Sequence, residues 1–150
     1  MNNKTFKTIV VPVKVRREIE KEKNKFNVAL IAHDSKKADI LAFASKNYDI
    51  LKKCSLIATK ATGRLINSKT DLEVKEMMSG PEGGDLQIGG LVASEEIDLV
   101  IFLRDPLAKQ PHDPDIAALM KVCDVHNIPL ATNLSSAEIL LKGAVKNLCQ

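Results

Sequence analysis

Aromatic side chains are scarce in this chain: no tryptophan, one tyrosine and four phenylalanines in 150 residues. So few rings leave no stacking surface for bases, and no known module pattern accompanies the basic residues, so nucleic acid is not expected as a partner. Cysteine is scarce too. Cys54, Cys123 and Cys149 are odd in number and far apart, which argues against a disulfide framework and for reduced thiols in the cytoplasm. Cys-x-x-Cys and His-x-x-x-His pairs are absent, so spacing carries no metal-site signal. No run approaches the roughly 18 apolar residues that a membrane span needs. The longest apolar run near the start, Ile9–Val13, is too short for a signal-peptide core and has no small-residue cleavage site after it. Neither membrane insertion nor export is therefore expected.

The length suits one ordinary domain with a full core, and the apolar fraction of 45% is normal for a globular chain. The net charge of +3 hides an asymmetry. Residues 1–25 carry eight Lys or Arg and three Glu, a net of +5, so the remainder carries −2. The basic character belongs to an added segment, and the chain divides into a basic extension, 1–26, and a domain, 27–150. The extension reads as a solvated arm, an oligomer contact or, least of all, a nucleic-acid arm.

Five short apolar runs alternate with helical patterns. They are NVALIA (27–32), CSLIAT (54–59), a weak EVKEMMS (73–79), DLVIFL (98–103) and PLAT (129–132). Between them, Ile40, Leu41, Ala44, Tyr48 and Leu51 have helical spacing. A short helix is expected from Thr62, another around Ile88, Leu91 and Val92, one from Asp113 with apolar residues at 116, 119, 120 and 123, and a closing helix over 135–141. Nearly continuous apolar strands separated by helices mean a parallel sheet buried on both faces. The fold class expected is α/β: a three-layer, doubly wound, five-stranded parallel sheet flanked by helices.

Ligands of such sheets bind beyond the carboxyl ends of the strands. Those ends here are polar. They hold His33 and Asp34; Thr59, with Thr62 and Gly63 after it; Ser79 and Gly80; Arg104 and Asp105, then PHDPD (111–115); and Thr132 with Asn133. Five of the seven glycines fall in SGPEGGDLQIGG (79–90), with Asp85 among them. Glycine in a regular element costs roughly 0.5–1 kcal/mol relative to alanine, so the cluster requires a tight turn or a close approach to backbone. Each polar residue also has a structural alternative. Asp113 reads as an N-cap before Pro114, Asp115 as a first-turn carboxylate on the helix dipole, and Asp85 as the cap of a helix from 86. His33 and His112 divide between structural bonding and ligand contact; His126 and Cys123 read as structural. Hydroxyls and bare amides at helix starts bind phosphate, and carboxylate with imidazole moves protons. Together they point to a phosphorylated small molecule undergoing proton abstraction without a metal.

The motifs LIAHD, Lys37, AT-x-x-TG (58–63), SGPEGGD-x-Q, DLVIFLRDPL and PHDPD, in this order and spacing, resemble methylglyoxal synthase. The resemblance runs from about residue 27 to 142. It implies a homohexamer of five-stranded α/β subunits. Its activity would convert dihydroxyacetone phosphate to methylglyoxal and inorganic phosphate without metal or organic cofactor, with phosphate as product and candidate inhibitor. It also implies roles. Asp85 would be the base, and His112 and Asp115 would sit at the substrate oxygens. His33 would touch the substrate or back a group that does. Lys37, Thr59, Thr62, Ser79 and Gly80 would hold the phosphate, with Asp34 and Asp105 as supporting carboxylates. The chain departs from the family at Lys60 (usually glycine), Ala61 (usually a phosphate-binding threonine) and Leu86 (usually glutamine). A lost hydroxyl bond to a charged group costs about 1.5–3 kcal/mol, and a lysine forced into a glycine conformation adds about 1. These departures bear on phosphate affinity more than on the identity of the base, and the charge of Lys60 opposes the lost hydroxyl, so the net effect is open at this point. The alternative to an enzyme is a non-catalytic regulatory domain of the same fold, of the kind that binds allosteric ligands in carbamoyl phosphate synthetase. It would bind a nucleotide or phosphorylated metabolite.

Overall fold

The computed structural model describes residues 25–148. The basic extension assigned to 1–26 lies, as far as residue 24, outside the described residues. Thirteen residues form β1 to β3: Asn27–Ala32, Ser55–Ala58 and Val74–Glu76. Strands β4 (Leu99–Leu103) and β5 (Leu130–Ala131) complete one sheet in the order β3-β2-β1-β4-β5, with every pairing parallel. The helices are α1 (Lys37–Lys46), the single turn α2 (Tyr48–Leu51), α3 (Lys60–Lys69), α4 (Gly84–Ala93), α5 (Asp113–Val125) and α6 (Leu134–Leu148). This is the doubly wound architecture that the alternation predicts.

Strand alternation divides the core into two. Val28, Leu30, Leu56, Leu99 and Ile101 face one side, where Ile40, Phe43, Ile66 and Leu141 from α1, α3 and α6 cover them. Ala29, Ile31, Ile57, Val100 and Phe102 face the other, against Ile88, Val92, Ile116, Leu119 and Cys123 of α4 and α5. Successive strand side chains point to opposite faces, so burial on both faces turns an alternating surface into an unbroken apolar run. Cys123 is core, as its position on an apolar stripe predicts.

The chain winds outward from β1 to β2 and β3, then returns to β4 on the other side of β1. The switch point therefore lies between the carboxyl ends of β1 and β4, at His33–Asp34 and Arg104–Asp105. Several boundaries shift from expectation. The weak third run yields only three strand residues because β3 is an edge strand; Met77 still donates to the Ala58 carbonyl, and the chain then leaves the sheet for the glycine loop. Helix α3 begins at Lys60 rather than Thr62. His112, not Asp113, occupies the N-cap of α5, with Asp113 and Pro114 in its first turn. Helix α4 opens at Gly84, so Asp85 lies within the first turn and caps nothing.

Candidate active site

Gly83 is the only glycine with positive φ among the described residues, at +105°. That left-handed residue ends the 3-10 turn Gly80–Glu82 and opens α4. Gly84 then passes so close to the preceding strand end that a Cβ would lie 2.1 Å from the Met78 carbonyl oxygen and 2.9 Å from that of Ser79. Its amide donates to the Ser79 carbonyl at 2.8 Å. This tight loop turns Asp85 inward. Gly80 serves the same end from the other side: a Cβ there would meet His112 Nε2 at 2.9 Å. The remaining pair is different. Gly89 would put a Cβ only in ordinary contact with Leu119, and Gly90 faces open space. Neither is sterically required within the described residues.

Asp85 is fully buried, and neither carboxylate oxygen accepts a hydrogen bond. His112 Nε2 lies 3.3 Å from Oδ2, in contact but without hydrogen-bond alignment. Burial pushes the Asp85 carboxyl above the usual carboxylate range, and the charge of Asp115 adds to this; His112 and Lys37 pull the other way. His33 stands beside them, its ring 6.0 Å from that of His112 and edge-on to Phe102. Burial, then the positive charges of His112, Arg104 and Lys37, hold its imidazole below its usual range, against the opposing carboxylate of Asp105.

These groups line a cavity of about 180 Å³, the share of roughly six liquid water molecules. His33, Asp34, Lys37, Thr59, Ser79, Gly80, Asp85 and His112 all reach it. Part of the lining is cationic in character: the start of α3 brings Thr59 and Ala61 with the amides of a first helical turn, of which that of Lys60 donates to the Met78 carbonyl at 3.3 Å. Lys37 stands there too, its Nζ donating to Thr62 Oγ1 at 2.9 Å and to the Ala32 carbonyl. Burial lowers the Lys37 pKa, partly offset by Asp34 and Asp85. The same lining holds the buried carboxylate and two imidazoles.

Three expected residues do not line the cavity. Thr62 is fully buried behind its wall and steadies Lys37. Asp115 is half-buried on α5 and acts on Asp85 through its charge. Asp105 opens into a neighbouring recess, where its carboxylate accepts from Ser35 Oγ at 2.8 Å and the Leu107 amide at 3.0 Å. Among the departures, Lys60 is an exposed first residue of α3 without positive φ, so the expected glycine-conformation strain is absent. Leu86 is exposed outside the cavity. Only Ala61 faces the site. Sequence reasoning missed Gln110, which lines the cavity as an unspecified position between Asp105 and His112. A larger cleft of about 670 Å³ lies at the amino ends of β2 and β3 and gathers none of these residues. Among the described residues no three His, Cys, Asp or Glu side chains are grouped as a metal ion would require, and no helix is long and apolar enough to cross a membrane.

Fold and site together define an MGS-like domain, and residues 39–132 match the model of that family. A methylglyoxal synthase of Thermoanaerobacterium thermosaccharolyticum is 58% identical over 117 residues, covering 78% of this chain and 87% of its own. One from Caldicellulosiruptor saccharolyticus is 59% identical over 117 residues, covering 78% and 83%. The crystal structure of methylglyoxal synthase from Elizabethkingia anophelis NUHP1 is similar with a TM-score of 0.74 at 44% identity, over 79% of this chain and 78% of that one. The chain belongs to the methylglyoxal synthase family.

Proposed function

We propose that the chain is a carbon–oxygen lyase acting on a phosphate ester, converting dihydroxyacetone phosphate to methylglyoxal and inorganic phosphate. The observation that carries this reading is the buried Asp85 carboxylate, free of hydrogen bonds and 3.3 Å from His112, lining one small cavity together with Lys37 and a helix start. Family membership supports the same chemistry. In the proposed sequence, the phosphate binds at Lys37, Thr59, Ser79, Gly80 and the first turn of α3, with Thr62 behind Lys37. Asp85 takes a proton from the hydroxymethyl carbon beside the carbonyl. A base whose pKa lies nearer the working pH is the stronger proton acceptor. Negative charge then develops on the enediolate oxygens, where His112 and His33 stabilise it. The bond between carbon and the phosphate oxygen breaks, its electron pair leaving with phosphate. The resulting enol gains a proton at its methylene carbon to become methylglyoxal. Water is not a reactant in this sequence. Clamping the phosphate out of the enediolate plane aligns the breaking bond with the π system and favours elimination over isomerisation.

The test is incubation with dihydroxyacetone phosphate in the presence of EDTA. Equal yields of methylglyoxal and phosphate are expected; release of neither would refute the reading. Tight binding of a nucleotide or phosphorylated metabolite without turnover would instead decide for a regulatory domain. The same reading includes a cytoplasmic homohexamer inhibited by phosphate. Sedimentation and phosphate titration of the initial rate check the assembly and the inhibition.

A further inference from the structure

Resting on the functional reading above, we propose that Ser35 and Asp105 are positioning residues that fix His33 as the Nε2–H tautomer. The ring then serves the reaction as a neutral hydrogen-bond donor to a substrate oxygen and not as a base.

The Asp105 backbone amide donates to His33 Nδ1 at 2.8 Å. An amide N–H cannot accept, so Nδ1 must keep its lone pair. The single ring proton of neutral imidazole is then on Nε2. That nitrogen is buried and meets no acceptor in the protein, and the ring lines the cavity. A second ring proton would set Nδ1–H against the amide N–H, donor facing donor. The charges around the ring act in the same direction: burial and the neighbouring His112, Arg104 and Lys37 disfavour the cation, and only Asp105 favours it. Neutral imidazole is an effective partner for an oxygen on which charge develops, because it donates without surrendering its proton.

The carboxylate of Asp105 does not touch His33. It accepts from Ser35 Oγ at 2.8 Å and from the Leu107 amide at 3.0 Å. Ser35 lies in the turn that follows β1, two residues after His33, whereas Asp105 follows β4. Their bond therefore ties the two loops at the switch point and aims the Asp105 amide. His33 is held from its own backbone too, donating to the Leu103 carbonyl at 3.1 Å and accepting from the Lys36 amide at 2.8 Å. The ring is thus set by the strand, and its tautomer by the clamp across the strands.

The experiment combines ring-nitrogen NMR with kinetics. In protein labelled with 15N-histidine, His33 is assigned by comparison with His33→Asn. The expected spectrum at neutral pH has an unprotonated Nδ1 and a protonated Nε2; a protonated Nδ1 overturns the proposal. Ser35→Ala is expected to mix the tautomers and lower kcat about threefold to tenfold, the effect of one modest hydrogen bond, with KM little changed. Asp105→Ala, which loses both carboxylate bonds, is expected to lower kcat further, and Ser35→Thr to restore it. Wild-type kcat and an unchanged tautomer in both Ser35→Ala and Asp105→Ala also overturn it. Failure of the unmodified chain to release phosphate from dihydroxyacetone phosphate sinks the functional reading instead, and the NMR result alone then decides the tautomer.

Discussion

Replacing Asp85 with asparagine separates what the carboxylate does for catalysis from what it costs the fold. The side chain is fully buried and neither oxygen accepts a hydrogen bond. An unsatisfied buried polar group costs about 1–3 kcal/mol, more when charged. The nearby His112 and Lys37 offset part of that and Asp115 adds to it. Asparagine leaves the position equally unsatisfied but uncharged, so only the difference between the two penalties is recovered: a net gain of about 1 kcal/mol is expected for Asp85→Asn at neutral pH, or a rise of about 2–4 °C in Tm for a domain of this size. The sign with pH follows from the raised pKa. Below the ordinary aspartate value the carboxyl is protonated both folded and unfolded, and the penalty vanishes. It grows as pH rises from that value toward the raised folded pKa and is complete above it. The stability gap between variant and parent should accordingly close in acid. Turnover should fall at least about a hundredfold, the lower end of what a positioned base contributes, while phosphate still protects the fold against heat. Thermal melts from acid to neutral pH and a phosphate-release assay check both halves. A variant that turns over within tenfold of the parent, or that gains no stability at neutral pH, would refute the reasoning.

Ala61→Thr adds a hydroxyl to the phosphate end of the cavity, where one bond to a charged group is worth about 1.5–3 kcal/mol. KM should fall about tenfold, and an unchanged KM would show that the first turn of α3 does not hold phosphate. Lys37→Met should raise KM about tenfold or more with little loss of stability. Because burial lowers the Lys37 pKa, KM of the parent should climb on the alkaline side before an ordinary lysine would lose its proton; a flat profile there would refute this. Gly84→Ala forces a Cβ onto two backbone carbonyl oxygens and should cost about 3 kcal/mol in urea unfolding. Gly90→Ala, in open space on a helix, should instead be stabilising by about 0.5–1 kcal/mol. Equal effects would contradict the loop geometry.

Much of this was legible in the chain. The runs at 27–32 and 98–103 became β1 and β4 almost to the residue, because central strands are apolar on both faces. Eight of the eleven expected site residues reach one cavity because they lie in the loops and helix starts that follow the carboxyl ends of a parallel sheet's strands. The misplacements have physical causes. Strand β3 is short because an edge strand loses pairing on one side. Asp113 is not the cap because the helix already includes it, with Pro114 in the first turn, so the cap position falls to His112. The strain foreseen at Lys60 is absent because α3 begins two residues earlier than expected, which places Lys60 in the helix without positive φ. Gln110 was invisible, since its place depends on how the loop after β4 folds back, and no local pattern records that.

The order of strands and helices, the polar strand ends and the glycine loop before Asp85 followed from the sequence alone, because periodicity and glycine content act locally. Only the tertiary structure decided that Asp85 is buried without a hydrogen bond, that Thr62 and Asp115 lie outside the cavity lining, and that Asp105 meets His33 through its backbone amide. Those outcomes depend on distances between segments some seventy residues apart, such as Ser35 and Asp105. Burial and hydrogen-bond geometry exist only once such segments have packed.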